Sequence, residues 1–236
     1  MVTRARHFSL LSDPKWQQAL GRKDTVDKVL EFVVGHWATL QKNPPADMAF
    51  TNPEPKITKF FGLSLRKHAL SHGITGIFIV EHNVAEIDEI KQELASRGRT
   101  DITYFSNALA PALEFVFECK KLVPPPVGKS SRRQYAEHGV LRFVNGIYAR
   151  DGDIGFMIGL VDEATNIGPT SKALTRMMQG GDMASLLRLI TDENGEVVSE
   201  PSTRFAACQF ETQHARDHIE GCPDVVLGHF TFAHRR

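Results

Sequence analysis

Three ionisable residues close together in the chain, Asp101, Glu118 and Lys120, have the types and spacing to hold a hard cation beside a phosphate. Mg²⁺ and Mn²⁺ take oxygen ligands, commonly one or two carboxylates completed by water and phosphate oxygens. Two carboxylates would fix the ion. The lysine would orient or deprotonate an attacking water, or stabilise charge on the phosphate. For this the three groups must converge, which happens if Asp101 opens one strand and Glu118 lies late in a second strand paired with it as a hairpin. In residues 112–122 pleating would send Leu113, Phe115, Phe117 and Cys119 to one face and Glu114, Val116, Glu118 and Lys120 to the other. The bland alternative is a surface ion pair between Glu118 and Lys120, worth ~0–1 kcal/mol. The apolar richness of the run predicts a central strand, where a solvated pair is out of place.

Other groups carry weaker signals. The guanidinium forks of Arg132, Arg133 and Arg142 suit phosphate oxygens. Cys208, His214, His218 and Cys222 are metal-capable, but their spacing fits no common zinc pattern and is expected of dispersed core cysteines and surface histidines. Gly128-Lys129-Ser130 lacks the glycine that a phosphate loop needs five residues earlier, where Val123 stands. Thr212-Gln213-His214-Ala215-Arg216 is expected to be a polar loop reaching the same face as Glu118. No serine or cysteine nucleophile with a placed base is legible.

The elements that would position these groups follow from periodicity. Val26, Leu30, Val33, Val34, Trp37 and Leu40 predict an amphipathic helix over 24–41. Prolines break the chain over 43–55, and a second helix is expected from Pro55 to His68, burying Ile57, Phe60, Phe61, Leu63 and Leu65. A strand is predicted over 74–80, then a helix over 84–97 with Ile87, Ile90 and Leu94 on one side and Gly98 as its stop. Strands over 101–105 and 112–122 follow, then the Pro124–Pro126 break, a helix over 130–149 and a strand over 154–161. Strand, helix, strand implies a right-handed parallel crossover. A helix over 171–190 broken at Gly180-Gly181 and a final strand over 225–233 complete an α/β chain.

Composition bounds the partners. A chain of 236 residues with 42% hydrophobic and 24% charged residues reads as a globular domain with an extension. Its 28 basic and 28 acidic side chains cancel, so a nucleic acid would have to meet a local basic surface. Three cysteines fit a reducing compartment, and the expected location is the cytoplasm. No segment approaches the ~20 apolar residues of a membrane helix, and the basic segment 1–11 is not followed by an apolar signal core.

Arg99-Thr100-Asp101 followed by Phe117-Glu118-Cys119-Lys120-Lys121 resembles the PD-(D/E)xK nuclease superfamily of restriction-endonuclease-like folds, departing from it at Thr100, where proline is common. The superfamily core of helix, three strands, helix and strand is similar to the succession over 54–161, about half the chain, with 84–97 as an insertion. The resemblance implies a mixed sheet with helices on both faces. It divides the chain into a helical extension (1–50), a nuclease core (51–165) and a C-terminal helix and strand extension (166–236). It implies a catalytic set of Glu54, Asp101, Glu118 and Lys120, with Glu31 as a substitute for Glu54. Mg²⁺ or Mn²⁺ would be held by Asp101, Glu118, the Cys119 backbone carbonyl and Glu54. Arg132, Arg133, Gln134, Tyr135 and Arg142, on the following helix, would contact the substrate. The implied activity is metal-dependent cleavage of nucleic acid, DNA favoured over RNA, in a restriction, defence or repair role. The competing expectation is an inactive nuclease-fold module binding nucleic acid or a partner protein, and a homodimer is left open.

Overall fold

The computed structural model describes residues 23–88, 93–107, 112–123, 127–192 and 194–234. The basic segment 1–11 and the Pro124–Pro126 break lie outside them.

Helix α1 (Lys23–Leu40) buries Val26, Val29, Leu30, Val33 and Trp37, the stripe that three- and four-residue spacing places on one face. The Trp37 indole N–H donates to the Ala233 carbonyl at 3.0 Å, tying α1 to the far end of the chain. Helix α2 (Glu54–His68) starts where Pro55 can occupy the first turn without losing a hydrogen bond, and it buries Ile57, Phe61 and Leu65. Strand β1 (Ile77–Val80) follows, shorter than the predicted 74–80.

The next segment overturns an expectation. The helix predicted over 84–97 is an antiparallel hairpin of β2 (Asn83–Asp88) and β3 (Glu93–Arg99), which form a separate two-stranded sheet among the described residues. Ile87 and Leu94, read as neighbours on a helix face, stand opposite one another across the hairpin, and Gly98, read as a helix stop, pairs with Val84. Seven residues separate Ile87 from Leu94, a spacing compatible with two helical turns and equally with a tight hairpin. Here cross-strand pairing decided.

Strands β4 (Ile102–Ser106) and β5 (Leu113–Lys121) form the expected antiparallel hairpin. The helix predicted over 130–149 is shorter and irregular: α3 (Lys129–Tyr135) runs through a π-helical turn (Ala136–Val140) into α4 (Leu141–Val144). Gly146, at φ 63°, ends it in the left-handed conformation that glycine adopts at low cost. The chain returns as β6 (Ile154–Val161), parallel to β5 as the strand, helix, strand order implied. Helices α5 (Ile167–Gln179) and α6 (Gly181–Leu186) break at Gly180, and the pair starts and stops a few residues earlier than predicted. Strands β7 (Val198–Ser199), β8 (Phe210–His214) and β9 (Val225–Ala233) complete the sheet.

The seven strands run in the order β1-β4-β5-β6-β9-β8-β7, parallel at β5–β6–β9 and antiparallel elsewhere. Central parallel strands are covered on both faces, and every residue of β6 is buried. Phe115, Phe117 and Cys119 of β5 join one apolar layer with α1 and α2, whereas Val116 joins the other with α3, α4 and α5, as the predicted alternation requires. The C-terminal segment continues this sheet, with β9 lying directly beside β6.

Residues 212–216 are not a polar loop. Phe210–His214 is strand β8, paired with β9, and Glu211, Thr212 and His214 are buried. Its polar composition hid it, because each polar side chain finds a partner inside the protein. Arg216, with no exposed surface, donates to the carbonyls of Ala149 (2.8 Å), Phe143 (3.4 Å), Pro223 and Gly152, pinning the turn after α4. Among the described residues no helix is long and apolar enough to cross a membrane.

Candidate functional site

Asp101 immediately precedes β4, where Ile102 is paired with Phe117, so the hairpin register carries Asp101 to the level of Glu118. Its Oδ2 accepts the Cys119 backbone N–H at 2.8 Å. Glu118 and Lys120 project from the same face of β5, and Lys120 Nζ donates to Glu118 Oε1 at 2.6 Å. Glu54 arrives from the first turn of α2. Its Oε2 accepts the Lys121 backbone N–H, and its Oε1 stands 3.5 Å from Lys120 Nζ. Lys121 in turn donates from Nζ to the Asn52 carbonyl at 3.1 Å, fixing the start of α2 against the end of β5. The structure thus gathers Glu54, Asp101, Glu118 and Lys120 from α2, the start of β4 and the end of β5. Glu31, the substitute for Glu54, is absent from these contacts.

Glu118 is 2% exposed, and its Oε2 has no hydrogen-bond partner. A buried carboxylate oxygen left unpartnered is costly, so its presence calls for an occupant or a function. Burial, reinforced by the nearby Asp101 charge, pushes the Glu118 carboxyl up to about 7 despite the Lys120 ammonium. Burial also raises Asp101, against the pull of Lys120 and the Cys119 N–H. For Lys120 burial opposes the charged form, but Glu118, Glu54 and Asp101 outweigh it and hold the proton well above the usual range. Lys120 is therefore held as an ammonium by the carboxylates around it.

The Cys119 backbone carbonyl accepts from Lys120 Nζ at 2.8 Å. Glu118 Oε1, the Cys119 carbonyl and Glu54 Oε1, three oxygens from the expected ligand set, therefore all face one ammonium. Among the described residues no group of three or more His, Cys, Asp and Glu side chains is arranged to hold a metal ion as it stands. The donor types nevertheless suit Mg²⁺ or Mn²⁺, which prefer carboxylate and carbonyl oxygen, and Glu118 Oε2 is a buried acceptor without a hydrogen-bond donor from the described residues.

No family model matches the chain, and no curated protein or solved structure matches it significantly.

Arg142 belongs beside it. The guanidinium donates to the Tyr148 hydroxyl and, at 3.4 Å, to the Arg99 carbonyl, and it is close enough to lower the carboxyl pKa of both Glu118 and Asp101. Tyr148, which sequence reasoning did not single out, donates to the Arg99 carbonyl at 2.6 Å and holds that guanidinium in place. Its only sequence signal is an aromatic ring just after a helix-ending glycine. The π-helical turn is the other missed feature. It brings Gly139 so close that a Cβ there would stand 2.4 Å from the Met157 methyl and 3.7 Å from Lys120 Cγ. π-turns are rare and recur at functional sites.

The remaining expected substrate contacts scatter. Arg133 and Gln134 are exposed on α3, with Arg133 in an ion pair with Glu137 at 2.6 Å, and Arg132 is half-buried. Tyr135 is not a surface contact. It is fully buried, and its hydroxyl lies 2.8 Å from His229 Nδ1. The helix face that carries it packs on the sheet, and only the neighbouring positions face outward.

That hydroxyl opens a closed chain of polar groups. His229 Nε2 is 2.8 Å from Thr212 Oγ1, which is 2.8 Å from His214 Nε2, and His214 Nδ1 is 2.7 Å from the Leu187 carbonyl. Burial holds both imidazoles neutral, His214 down at about 4 and His229 well below its usual value. A carbonyl only accepts, so His214 carries its proton on Nδ1 and accepts at Nε2 from the Thr212 hydroxyl. That hydroxyl has one proton, so it accepts from His229 Nε2–H, and His229 Nδ1 accepts from Tyr135. Every proton is assigned. The other metal-capable groups also turn to separate neighbours: Cys222 Sγ donates to the Arg150 carbonyl at 3.0 Å, Cys208 is buried against Gly228, and His218 is exposed.

Proposed function

We propose that this chain is a metal-dependent nuclease of the restriction-endonuclease-like kind, hydrolysing nucleic-acid phosphodiesters at the Glu118 site. The observation that carries this reading is the buried, unpartnered Glu118 oxygen beside Asp101, Glu54 and Lys120 at the ends of two adjacent strands. A surface ion pair has no reason to bury one carboxylate oxygen without a partner, because burial raises the cost of the charge. The element order α2, β1, β4, β5, α3–α4, β6 also parallels that nuclease core, with the β2–β3 hairpin as the insertion. DNA is preferred over RNA on the resemblance alone.

Glu118, Asp101 and the Cys119 carbonyl would hold Mg²⁺ or Mn²⁺, with Glu54 supporting from α2. The bound ion would supply charge neutralisation at the phosphate and an acidified water. Asp101 is oriented for this by the Cys119 N–H, and Glu54 by the Lys121 N–H. Lys120 and Arg142 would supply positive charge beside the phosphate, and Lys120 would stabilise charge on it or orient the attacking water. Arg132, Arg133 and Gln134 are the candidates for gripping the flanking backbone.

The test is cleavage of single-stranded DNA, double-stranded DNA and RNA by the purified chain with Mg²⁺, with Mn²⁺ and with excess chelator. Cutting of at least one substrate, abolished by chelator, is expected. Cutting that persists in chelator with bound metal shown to be absent would refute the mechanism. Tight nucleic-acid binding without cutting under any of these conditions would favour an inactive binding module.

A further inference from the structure

The contacts of Lys120 define more than a catalytic cation. Its Nζ lies 2.6 Å from Glu118 Oε1, 2.8 Å from the Cys119 carbonyl oxygen and 3.5 Å from Glu54 Oε1. These are three of the oxygens that a divalent ion would need, and they come from a side chain on β5, the β5 backbone and a side chain on α2. An ammonium offers three donors and a single positive charge, so it can organise oxygens that would otherwise repel one another. The site is thus held together by a cation belonging to the chain.

We propose that Lys120 is the resident counter-ion of this centre, and that the site accepts a divalent ion only by exchange, with the Lys120 ammonium leaving Glu118, the Cys119 carbonyl and Glu54. The proposal rests on reading the site as a metal centre. The four-carbon stem makes the exchange feasible, because a lysine can move its charge by rotation about several bonds while the backbone of β5 stays fixed. Once released, the ammonium needs a new anionic partner, and the phosphate of a bound nucleic acid is one. Metal and substrate should then favour each other's binding, by equal factors in both directions. A site held closed by its own cation also stays intact without metal, which a cluster of three carboxylates alone would not.

The test uses the full chain and Mn²⁺ as the probe. Mn²⁺ affinity is measured by calorimetry for the native protein and for Lys120→Met, which keeps much of the apolar stem and removes the charge. The Lys120 side-chain ammonium of the native protein is followed by nitrogen NMR as Mg²⁺ is added. We expect one Mn²⁺ per chain in both proteins, bound roughly tenfold or more tightly by Lys120→Met. We expect the native Lys120 signal to shift and lose its protection from solvent exchange as Mg²⁺ saturates. Equal Mn²⁺ affinities, or a Lys120 signal unchanged at Mg²⁺ saturation, would overturn the exchange. The NMR arm decides alone if Lys120→Met fails to fold. Absence of stoichiometric Mn²⁺ from both proteins would instead remove the metal-centre reading on which the proposal rests.

Discussion

Glu118 and His229 stand in one row across the sheet. Glu118 is paired with Met157 on β6, and Met157 with His229 on β9, so the two polar side chains share a face at about 10 Å, two strand spacings. Both are buried, yet their surroundings differ in kind. Around His229 each donor meets an acceptor, from Tyr135 through Thr212 and His214 to the Leu187 carbonyl, and nothing is left over. Around Glu118 the Lys120 ammonium serves both Glu118 and Glu54, with Asp101 turned to the Cys119 N–H, and an oxygen is left unpartnered. Burial alone therefore does not mark a functional residue. What separates the two is the state of the hydrogen-bond inventory: a closed chain stabilises a fold, and an open valence needs something the chain does not supply.

The comparison is broken most forcefully at Lys120. Lys120→Ala should lower cleavage by ~10²–10⁴ while leaving the far-ultraviolet circular dichroism native, since it removes a charge at the phosphate rather than a packing element. Near-native cleavage would take Lys120 out of the mechanism. Thr212→Val cuts the other region in its middle, leaving His214 Nε2 and His229 Nε2 without partners. It should cost about 2–4 kcal/mol and lower the melting temperature by about 5–15 °C, with cleavage unaffected at a temperature where the variant is folded. Loss of cleavage in the folded variant would show that the two regions are coupled.

The pH dependence of stability sharpens the contrast, because the regions have opposite slopes. The Glu118 carboxyl is raised from 4.5 to about 7, so the folded state keeps a proton that the unfolded chain releases, and this group's contribution falls as pH rises through that window. His214 is lowered from 6.5 to about 4, so its contribution is fully present above 6.5 and is lost as pH falls towards 4. Unfolding measured from pH 4.5 to 8 without divalent ions should show Glu118→Gln gaining on the native protein as pH rises, by on the order of 3 kcal/mol at most. A constant difference across the range would mean that Glu118 is not strained. The smallest effect belongs to Arg133, exposed and in an ion pair with Glu137 one helical turn away. Arg133→Gln should leave stability within about 0.5 kcal/mol. If this residue touches a nucleic-acid backbone, the salt slope of binding should fall by about one.

Much of the Glu118 region was legible in the sequence. Period-two alternation over 112–122 predicts which side chains share a face, and the strand, helix, strand order predicts the parallel pairing of β5 with β6. Those signals are local, and the structure bears them out. The histidine chain was illegible because β8 contains Glu211, Thr212, Gln213 and His214, whose polarity reads as loop until partners from α3 and β9 are in place. The β2–β3 hairpin was misread for the opposite reason: Ile87 and Leu94 satisfy two periodicities at once, and only pairing chooses between them. Tyr135 shows the same limit on a single residue, since a helix position adjacent to arginines says nothing about which side faces the sheet.

The central claim is that the open valence at Glu118 belongs to a metal ion needed for cleavage. It is tested most directly by Mn²⁺ binding and cleavage on the same preparations of native protein and Glu118→Ala, with circular dichroism confirming that both are folded. One Mn²⁺ per chain and metal-dependent cleavage in the native protein, both lost together in Glu118→Ala, is the expected result. A folded Glu118→Ala protein that binds Mn²⁺ and cuts as the native protein does would contradict the account.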